Sequence, residues 1–543
     1  MQISTNDGYA TISANTHQPE AANAAQRPLF TLDAHPTLLP RQARSLCQLR
    51  SASRDVLPSS HMRVHLLLMV LGVLILLTGA AQLVPAAVSY GYGDADWHTL
   101  LRSGLMAAAL GAVLFAAFRS EEEVTERDGF VIVSSGWVAV SVVGALPFLL
   151  TGTVTSVTDA LFESISGFTT TGASILTDYD RLSHGILLWR SLTHWMGGMG
   201  ILVFVLVILP SLGVGGMQLY KRETSGIYSE KLTPRLRDTA VALWSVYLLL
   251  TVLETGLLRV LGMSWFDAVN HAMATIATGG FGTRADSIGA FHSSAIEWAI
   301  IAFMYLSSLN MSLHYRLLMS RGRHWPHLSS EELRFYTVTL VALSLAMAAY
   351  LVLKQGYGPG RALTKGTFQV VSIASTTGFA SDDYVAWGPF PQLVMLFLML
   401  GGGCAGSTSG GLKWVRVVLL FKSIRMELLS LIHPRLLMVT KLDRRRVGSD
   451  VLKTIFVFFF LWMTTLGAAS MVLTITGNSI ATAFGAVASA MGGVGPGLDA
   501  LGPAQTYAPL PDIDKWVLMM AMLLGRLELM TLYVLVLPEM WRR

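Results

Sequence analysis

Charge is scarce in this chain. Only 13% of its 543 residues are Asp, Glu, Lys or Arg, against about 25% in a soluble globular protein; 52% are hydrophobic and the mean hydropathy is +0.53. That balance excludes an ordinary cytoplasmic protein. Cysteine is nearly absent. Cys47 and Cys404 stand in unrelated contexts with no CxxC pair and no zinc spacing, which removes disulfide-framework, redox and metal-finger readings. An excess of basic charge is also missing. The balance is only 39 − 34 = +5, and most Lys and Arg fall in short gaps between apolar runs, where they read as topology signals and not as a nucleic-acid surface.

What the chain does have is long uncharged runs. Val64–Val88, Phe130–Thr158 and Tyr384–Leu412 contain no charged residue, and about 20 apolar residues cross a bilayer as a helix. Ten spans are expected, near 64–88, 98–118, 129–151, 186–212, 238–261, 295–318, 335–353, 390–420, 452–476 and 515–538. Four further apolar segments, near 157–168, 264–276, 362–374 and 479–490, are too short to cross and run into Gly/Thr-rich stretches. Re-entrant half-helices are expected there. The fold class is therefore all-α integral membrane, with ten transmembrane helices and four re-entrant pore half-helices.

Basic residues favour the cytoplasmic ends of spans. Lys221, Arg222, Lys231, Arg235 and Arg237 fill one gap, Arg316, Arg321, Arg323 and Arg334 another, and the stretch from Lys413 to Lys453 carries ten. These gaps share a side with both termini if the spans alternate, while Asp94, Asp96, Asp178, Asp180, Asp382, Asp383, Asp499, Asp512 and Asp514 fall on the other. A multi-pass protein of the cytoplasmic membrane with both termini inside is expected. Residues 1–61 read as a polar, disordered, cytoplasmic extension without a secretory cleavage site; a native start at Met62 is the competing reading.

Each half-helix ends in a comparable phrase: Phe168-Thr169-Thr170-Thr171-Gly172-Ala173, Ala277-Thr278-Gly279-Gly280-Phe281, Ser375-Thr376-Thr377-Gly378-Phe379 and Gly492-Gly493-Val494-Gly495-Pro496. The glycines are spaced 280 − 172 = 108, 378 − 280 = 98 and 495 − 378 = 117 residues apart. Four units of helix, half-helix, Gly-containing loop and helix follow. A half-helix directs its C-terminal end, with about half a negative elementary charge, toward mid-membrane, which favours a cation. Backbone at that depth is tolerated where it lines a wet cavity, and carbonyls there can replace the hydration shell of a monovalent cation.

These residues resemble the TrkH/KtrB-type potassium transporters, which are built from four membrane–pore–membrane repeats around one ion path. The likeness runs from about Met62 to the C-terminus. It includes Phe162-Glu163-Ser164-Ile165-Ser166-Gly167-Phe168-Thr169-Thr170-Thr171-Gly172, His194-Trp195-Met196-Gly197-Gly198-Met199-Gly200, Gly402-Gly403-Cys404-Ala405-Gly406-Ser407-Thr408-Ser409-Gly410-Gly411-Leu412-Lys413 and Leu524-Gly525-Arg526-Leu527-Glu528. Two leading helices favour the TrkH branch. The resemblance implies potassium-coordinating backbone at Thr170, Thr171 and Gly172; Thr278, Gly279 and Gly280; Thr376, Thr377 and Gly378; and Gly493, Val494 and Gly495. One departure stands out: Gly492 and Gly493 occupy a place where such proteins often carry Asn-Asn. Gly172, which is Ser in related sodium-permeable plant transporters, is intact and favours potassium.

The segment Gly402, Gly403, Gly406, Ser407, Thr408, Gly410, Gly411 interrupts an uncharged run with a composition no transmembrane helix needs. By resemblance it is an intramembrane gating loop; a kink at close helix packing is the alternative. Lys413 follows Leu412, so the GxxxxGK[ST] phosphate-loop pattern fails. Arg526 sits in the last span, where a charge needs water or a partner. The resemblance places it beneath the filter as a barrier to cations, the alternative being an ion pair with a carboxylate such as Glu254. Glu163 either attracts cations at the entrance or ties its half-helix to neighbouring backbone. Arg190, His194, Asn310, His314 and Glu254 read as interhelical hydrogen-bonding or snorkelling groups. No HExxH, Ser-His-Asp or paired-carboxylate site is present and His194, His271 and His314 lack recognisable partners, so no enzyme is expected.

The organisation expected is an extension (1–61), two leading helices (62–125) and four repeats (126–230, 231–328, 329–446 with the gating loop, and 447–543). The function expected is potassium uptake as the conducting subunit of a Trk-type system, with a sodium-permeable or cation-coupled symporter as the rival. Potassium is substrate and no covalent cofactor is needed. Partners implied are membrane lipid, a second copy in a homodimer and a cytoplasmic nucleotide-binding subunit of TrkA type; nucleic acid is not expected.

Overall fold

A computed structural model describes residues 63–120, 122, 124–200, 236–319, 330–434, 439–443 and 445–542. The extension at 1–61, the later part of the span at 186–212, and Lys221, Arg222, Lys231, Arg235, Arg321 and Arg323 lie outside the described residues.

The apolar runs form helices because a backbone in lipid must satisfy its own hydrogen bonds. Among the described residues six helices are long and apolar enough to cross a membrane: Val64–Tyr92 (α1), Trp97–Ala117 (α2), the stretch Arg127–Leu150 built from Glu126–Gly144 (α3) and Leu146–Leu150 (α4), Leu236–Val260 (α7), Glu331–Gln355 (α11) and Ser449–Ile475 (α15). Two further spans are bent pairs: Ser294–Ser307 (α9) with Met311–Met319 (α10) at 94°, and Asp512–Arg526 (α17) with Met530–Val536 (α18) at 114°. Each of the spans expected at 295–318 and 515–538 is therefore made of two helices with a bend between them. The span expected at 390–420 is likewise divided into Pro389–Gly401 (α13) and Trp414–Ile432 (α14), and residues 402–413 between them are non-helical. His184–Gly198 (α6) is the described part of the fourth expected span.

α1 and α2 pack as a close hairpin. A Cβ at Gly79 would stand 2.3 Å from the Ala108 nitrogen and one at Gly111 2.3 Å from the Leu76 nitrogen, so backbones touch where small residues permit it. Gln82 bridges this hairpin to α3, receiving a hydrogen bond from Ser103 (2.7 Å) and donating to the Val143 carbonyl (3.1 Å).

The four short apolar segments are helices at Val157–Phe168 (α5), Trp265–Ile276 (α8), Pro359–Ala374 (α12) and Ile480–Gly492 (α16). Their starts are encoded locally. Ser156, Ser264 and Ser479 accept hydrogen bonds from the backbone of Asp159, Asp267 and Thr482, and α12 begins with Pro359 in its first turn. A two-residue hairpin, Lys441–Leu442 (β1) with Arg445–Arg446 (β2), pairs Lys441 with Arg446 between α14 and α15.

Candidate functional site

The four short helices end alike. The N–H groups of Thr171, Gly279, Thr377 and Val494 donate to the carbonyls of Ser166, Ala274, Ser372 and Ser489 at 2.9, 2.8, 2.9 and 2.9 Å. That is a six-to-one helix-terminating bond, which requires a left-handed residue just before it. Thr170, Thr278, Thr376 and Gly493 supply it at φ 56, 54, 60 and 66°. Glycine is the usual occupant; threonine there carries strain of about 1–3 kcal/mol. Three strained threonines in register mark a backbone shape held by its surroundings.

Two residues further on, Gly172, Gly280, Gly378 and Gly495 again have positive φ, at 80, 81, 78 and 101°. Their missing side chains let the four loops close on one another. A Cβ on Gly172 would lie 2.0 Å from the Gly279 carbonyl oxygen, one on Gly280 2.0 Å from that of Thr377, one on Gly378 1.8 Å from that of Val494, and one on Gly495 2.8 Å from that of Thr171. Each glycine makes room for the carbonyl of the next repeat, and the last returns to the first. Eight of the twelve expected residues, Thr171, Gly172, Gly279, Gly280, Thr377, Gly378, Val494 and Gly495, make these contacts, and Thr170, Thr278, Thr376 and Gly493 are the left-handed residues just before them.

A polar collar joins neighbouring repeats around that ring. Arg190, fully buried, pairs with Glu163 at 2.7 Å, donates to the Gly282 carbonyl of the second repeat at 3.0 Å and lies 4.0 Å from the Phe281 ring. Lys365 on α12 pairs with Glu297 on α9 at 2.7 Å. The Tyr384 hydroxyl donates to the Gly497 carbonyl at 2.5 Å, and the Tyr507 hydroxyl to the Gly495 carbonyl at 2.8 Å. Lys515 on α17 pairs with Asp159 on α5 at 2.6 Å, closing the fourth repeat onto the first. Glu163 also accepts from the Ile175 N–H at 3.0 Å and is wholly buried, so it ties its half-helix to adjacent backbone and does not face an entrance. His194 stacks on Phe281 with centroids 4.0 Å apart, directly against Gly279. Of these ties, the sequence suggested the Glu163 link to neighbouring backbone, as one of two readings, and an interhelical role for Arg190 and His194; isolated charges such as Glu297, Lys365 and Lys515 at span ends were the available signal for the rest.

The Gly402–Gly411 segment is a closed loop and not a packing kink. Leu412 N–H donates to the Leu400 carbonyl at 3.2 Å and Trp414 N–H to the Gly403 carbonyl at 3.1 Å, so its ends meet. Its backbone fills the break in α9–α10: Cys404 N–H donates to the Ser308 carbonyl at 2.9 Å, and the Gly406 carbonyl accepts from Met311 N–H at 3.0 Å. That exchange explains the 94° bend, because the loop satisfies groups that a straight helix would have paired internally. Gly406 lies against Asn310, and the Ser407 hydroxyl donates to the Cys404 carbonyl at 2.6 Å.

The far side of the loop touches the second, third and fourth repeats. The Thr408 hydroxyl donates to the Ile276 carbonyl at 3.0 Å, Gly410 N–H donates to the Thr376 hydroxyl at 2.9 Å, and a Cβ on Gly410 would stand 2.2 Å from the Gly492 carbonyl oxygen. Arg526 completes the set. Its guanidinium donates to the Thr170 hydroxyl at 3.2 Å, the Thr408 carbonyl at 3.1 Å, the Gly198 carbonyl at 3.0 Å and the Gly197 carbonyl. Carbonyl and hydroxyl oxygens therefore hold this charge, and no hydrogen bond joins it to Glu254 among the described residues. Beside it Glu528 pairs with Arg416 at 2.7 Å. Among the described residues no group of three metal-binding side chains occurs, so the oxygens gathered here are backbone and hydroxyl.

Short helices whose ends meet in one ring of loops, set among several helices long and apolar enough to span, define a polytopic membrane protein. The chain belongs to the TrkH family, whose family model, described as a cation transport protein, matches residues 98–542. It is similar to the Trk system potassium uptake protein TrkH of Halomonas elongata, 38% identical over 487 residues, which span 89% of this chain and 100% of that protein. The TrkH of Escherichia coli K12 is 37% identical over 479 residues, 87% of this chain and 98% of that one. The crystal structure of the potassium transporter TrkH from Vibrio parahaemolyticus superposes with a TM-score of 0.80 at 36% identity, covering 89% of this chain and all of that one.

Proposed function

We propose that this chain conducts potassium into the cell through one central path, with the four-loop ring as its selectivity filter and the 402–413 loop as its gate. The observation that carries the reading is the closed ring, in which each glycine of Gly172, Gly280, Gly378 and Gly495 receives the next repeat's carbonyl. Carbonyls of Thr170, Thr171, Thr278, Gly279, Thr376, Thr377, Gly493 and Val494, with those glycines, would stand in for water around a dehydrated ion. The helix termini that present them add partial negative charge. Relatives named as potassium uptake proteins over nearly their whole length support potassium as the ion.

The gate consists of Gly402, Gly403, Gly406, Ser407, Thr408, Gly410 and Gly411 together with Arg526. A cation leaving the ring meets the guanidinium, which is bound at once to Thr170 and to the loop. Opening requires the loop to move and Arg526 to exchange partners. A negative-inside potential of 100 mV drives each ion by about 2.3 kcal/mol, so uptake needs no chemical step. The reading includes ten crossings, a multi-pass location in the cytoplasmic (inner) membrane, and both termini on the cytoplasmic side, as the basic gaps favour. It also includes a homodimer and a TrkA-type nucleotide-binding subunit docked on the basic face around 413–446.

The test is rubidium uptake by the purified chain in proteoliposomes, competed by potassium and by sodium, alongside Gly172→Ser. Potassium-preferring flux that loses discrimination in the variant is the expected result. Equal competition by sodium in the wild type overturns the assignment in favour of a sodium-permeable pathway, with the Gly492-Gly493 departure as its first suspect.

A further inference from the structure

At the N-terminal turn of α11, Glu332 is 3% exposed, and one oxygen of its carboxylate accepts two backbone N–H groups, Ala405 at 2.8 Å and Val415 at 2.9 Å. Ala405 lies within the non-helical segment, in a turn near its start, and Val415 lies just past its end in the first turn of α14. A single atom thus fastens both limbs of the loop to a helix of the same repeat. Because the two bonds share one acceptor they are made or lost together.

The surroundings of Glu332 lead to the surface. One turn along α11, the Tyr336 hydroxyl donates to Ser308 Oγ at 3.0 Å, beside the carbonyl that receives Cys404. In the other direction the preceding Glu331 N–H donates to Asp443 at 2.6 Å, and the Glu331 carboxylate pairs with Lys422 on α14. Asp443 is the turn of the β1–β2 hairpin, whose Arg445 and Arg446 are exposed. Hairpin, helix start, carboxylate and loop form one continuous hydrogen-bonded path.

We infer that Glu332 is the positioning residue that latches the 402–413 loop in its closed form, and that displacement of the hairpin releases the latch through the start of α11. The inference rests on the reading of that loop as a gate. Glu332 touches no part of the ring, so its loss changes how often the path is open and leaves selectivity untouched.

The experiment compares rubidium flux through wild type, E332A, E332Q, V415P and a deletion of Gly406–Ser409 in proteoliposomes without any partner protein. E332A is expected to raise flux about tenfold or more, the scale of losing two buried hydrogen bonds, with the potassium-to-sodium competition ratio unchanged. E332Q keeps an oxygen able to accept both N–H groups and stays within about twofold of wild type. V415P removes one donor at a helix position that tolerates proline and gives an intermediate rise. Cys404, 2% exposed at the loop's entry, reports the motion directly: in a C47S background it resists a small uncharged maleimide in wild type and reacts in E332A. A rise in the deletion variant with none in E332A or V415P overturns the latch and leaves the gate standing. No rise in any of the three overturns the gate, and the latch with it. Lost thermal stability in E332A without added flux or Cys404 labelling assigns Glu332 a purely structural role and also overturns the proposal.

Discussion

A methyl group placed on Gly378 tests the ring most sharply. The new Cβ would stand 1.8 Å from the Val494 carbonyl oxygen and 2.9 Å from Pro496 Cδ, whereas real Cβ contacts essentially never fall below 3.0 Å. The carbonyl must therefore retreat by at least 3.0 − 1.8 = 1.2 Å, out of the ring it helps to form. The residue also sits at φ 78°, which adds about 1–2 kcal/mol for any side chain. Two other glycines separate these effects. Gly493 shares the left-handed backbone at φ 66°, but a Cβ there meets only Gly410 Cα at 3.8 Å, so Gly493→Ala imposes strain without displacement. Gly467 in α15 has open space around it and ordinary helical backbone, so Gly467→Ala stabilises by about 0.5–1 kcal/mol and changes nothing else. Rubidium uptake with potassium and sodium competition is measured for all three. Gly378→Ala is expected to lose at least about tenfold in discrimination, a difference of about 1.4 kcal/mol, while Gly493→Ala and Gly467→Ala keep it within about twofold. Full discrimination in a well-expressed Gly378→Ala variant refutes the claim that these carbonyls select the ion.

Arg526→Ala raises basal rubidium leak, and Arg526→Lys fails to restore closure because one ammonium cannot reach Thr170, Thr408, Gly197 and Gly198 together; wild-type leak in the alanine variant would remove Arg526 from the gate. Glu163→Gln leaves Arg190 buried without its counter-charge and costs about 3–5 kcal/mol, read as a large drop in detergent melting temperature that exceeds any change in ion preference. Asp499, whose carboxylate accepts from Ser479 at 2.6 Å and Thr482 at 3.0 Å, is held below the usual carboxylate range by those bonds. A depressed folded-state value means its contribution is complete above the ordinary carboxylate range and is lost only as pH falls through the lower one. Melting temperatures of wild type and Asp499→Asn should therefore differ by a constant amount from pH 5 to 8 and converge only in stronger acid; a difference that varies across neutral pH contradicts this.

The half-helices were legible because their signals are local. About three turns of small or apolar residues followed by a glycine-containing phrase at matched spacing mark each one, and serine caps at 156, 264 and 479 fix the starts of three. The glycines at 172, 280, 378 and 495 could be registered from the repeat, but the reason they are glycine could not, since the clashing atom belongs to another repeat, about 100 residues away for the first three and 495 − 171 = 324 away for Gly495. Broken spans were hidden for a related reason. Hydropathy measures composition and is blind to direction, so 295–318 and 515–538 read as single spans although they bend by 94° and 114°. The groups that pay for the first bend, the Cys404 nitrogen and the Gly406 carbonyl, lie about 100 residues downstream. Glu332 carries no sequence signal at all, since a glutamate in the first turn of a helix is ordinary.

The ring comes from a single polypeptide, and its corners are not alike: three carry a strained threonine at the left-handed position and the fourth a relaxed glycine. In an assembly of four identical subunits one codon would rewrite every wall at once. Here each quadrant answers to its own stretch of gene, so a substitution alters one wall against three unchanged references. Gly493, where a side chain would meet only Gly410 Cα at 3.8 Å, is the quadrant where a substitution displaces its neighbours least. The ring is thus open to stepwise tuning, a quarter at a time, by inheritance or by design.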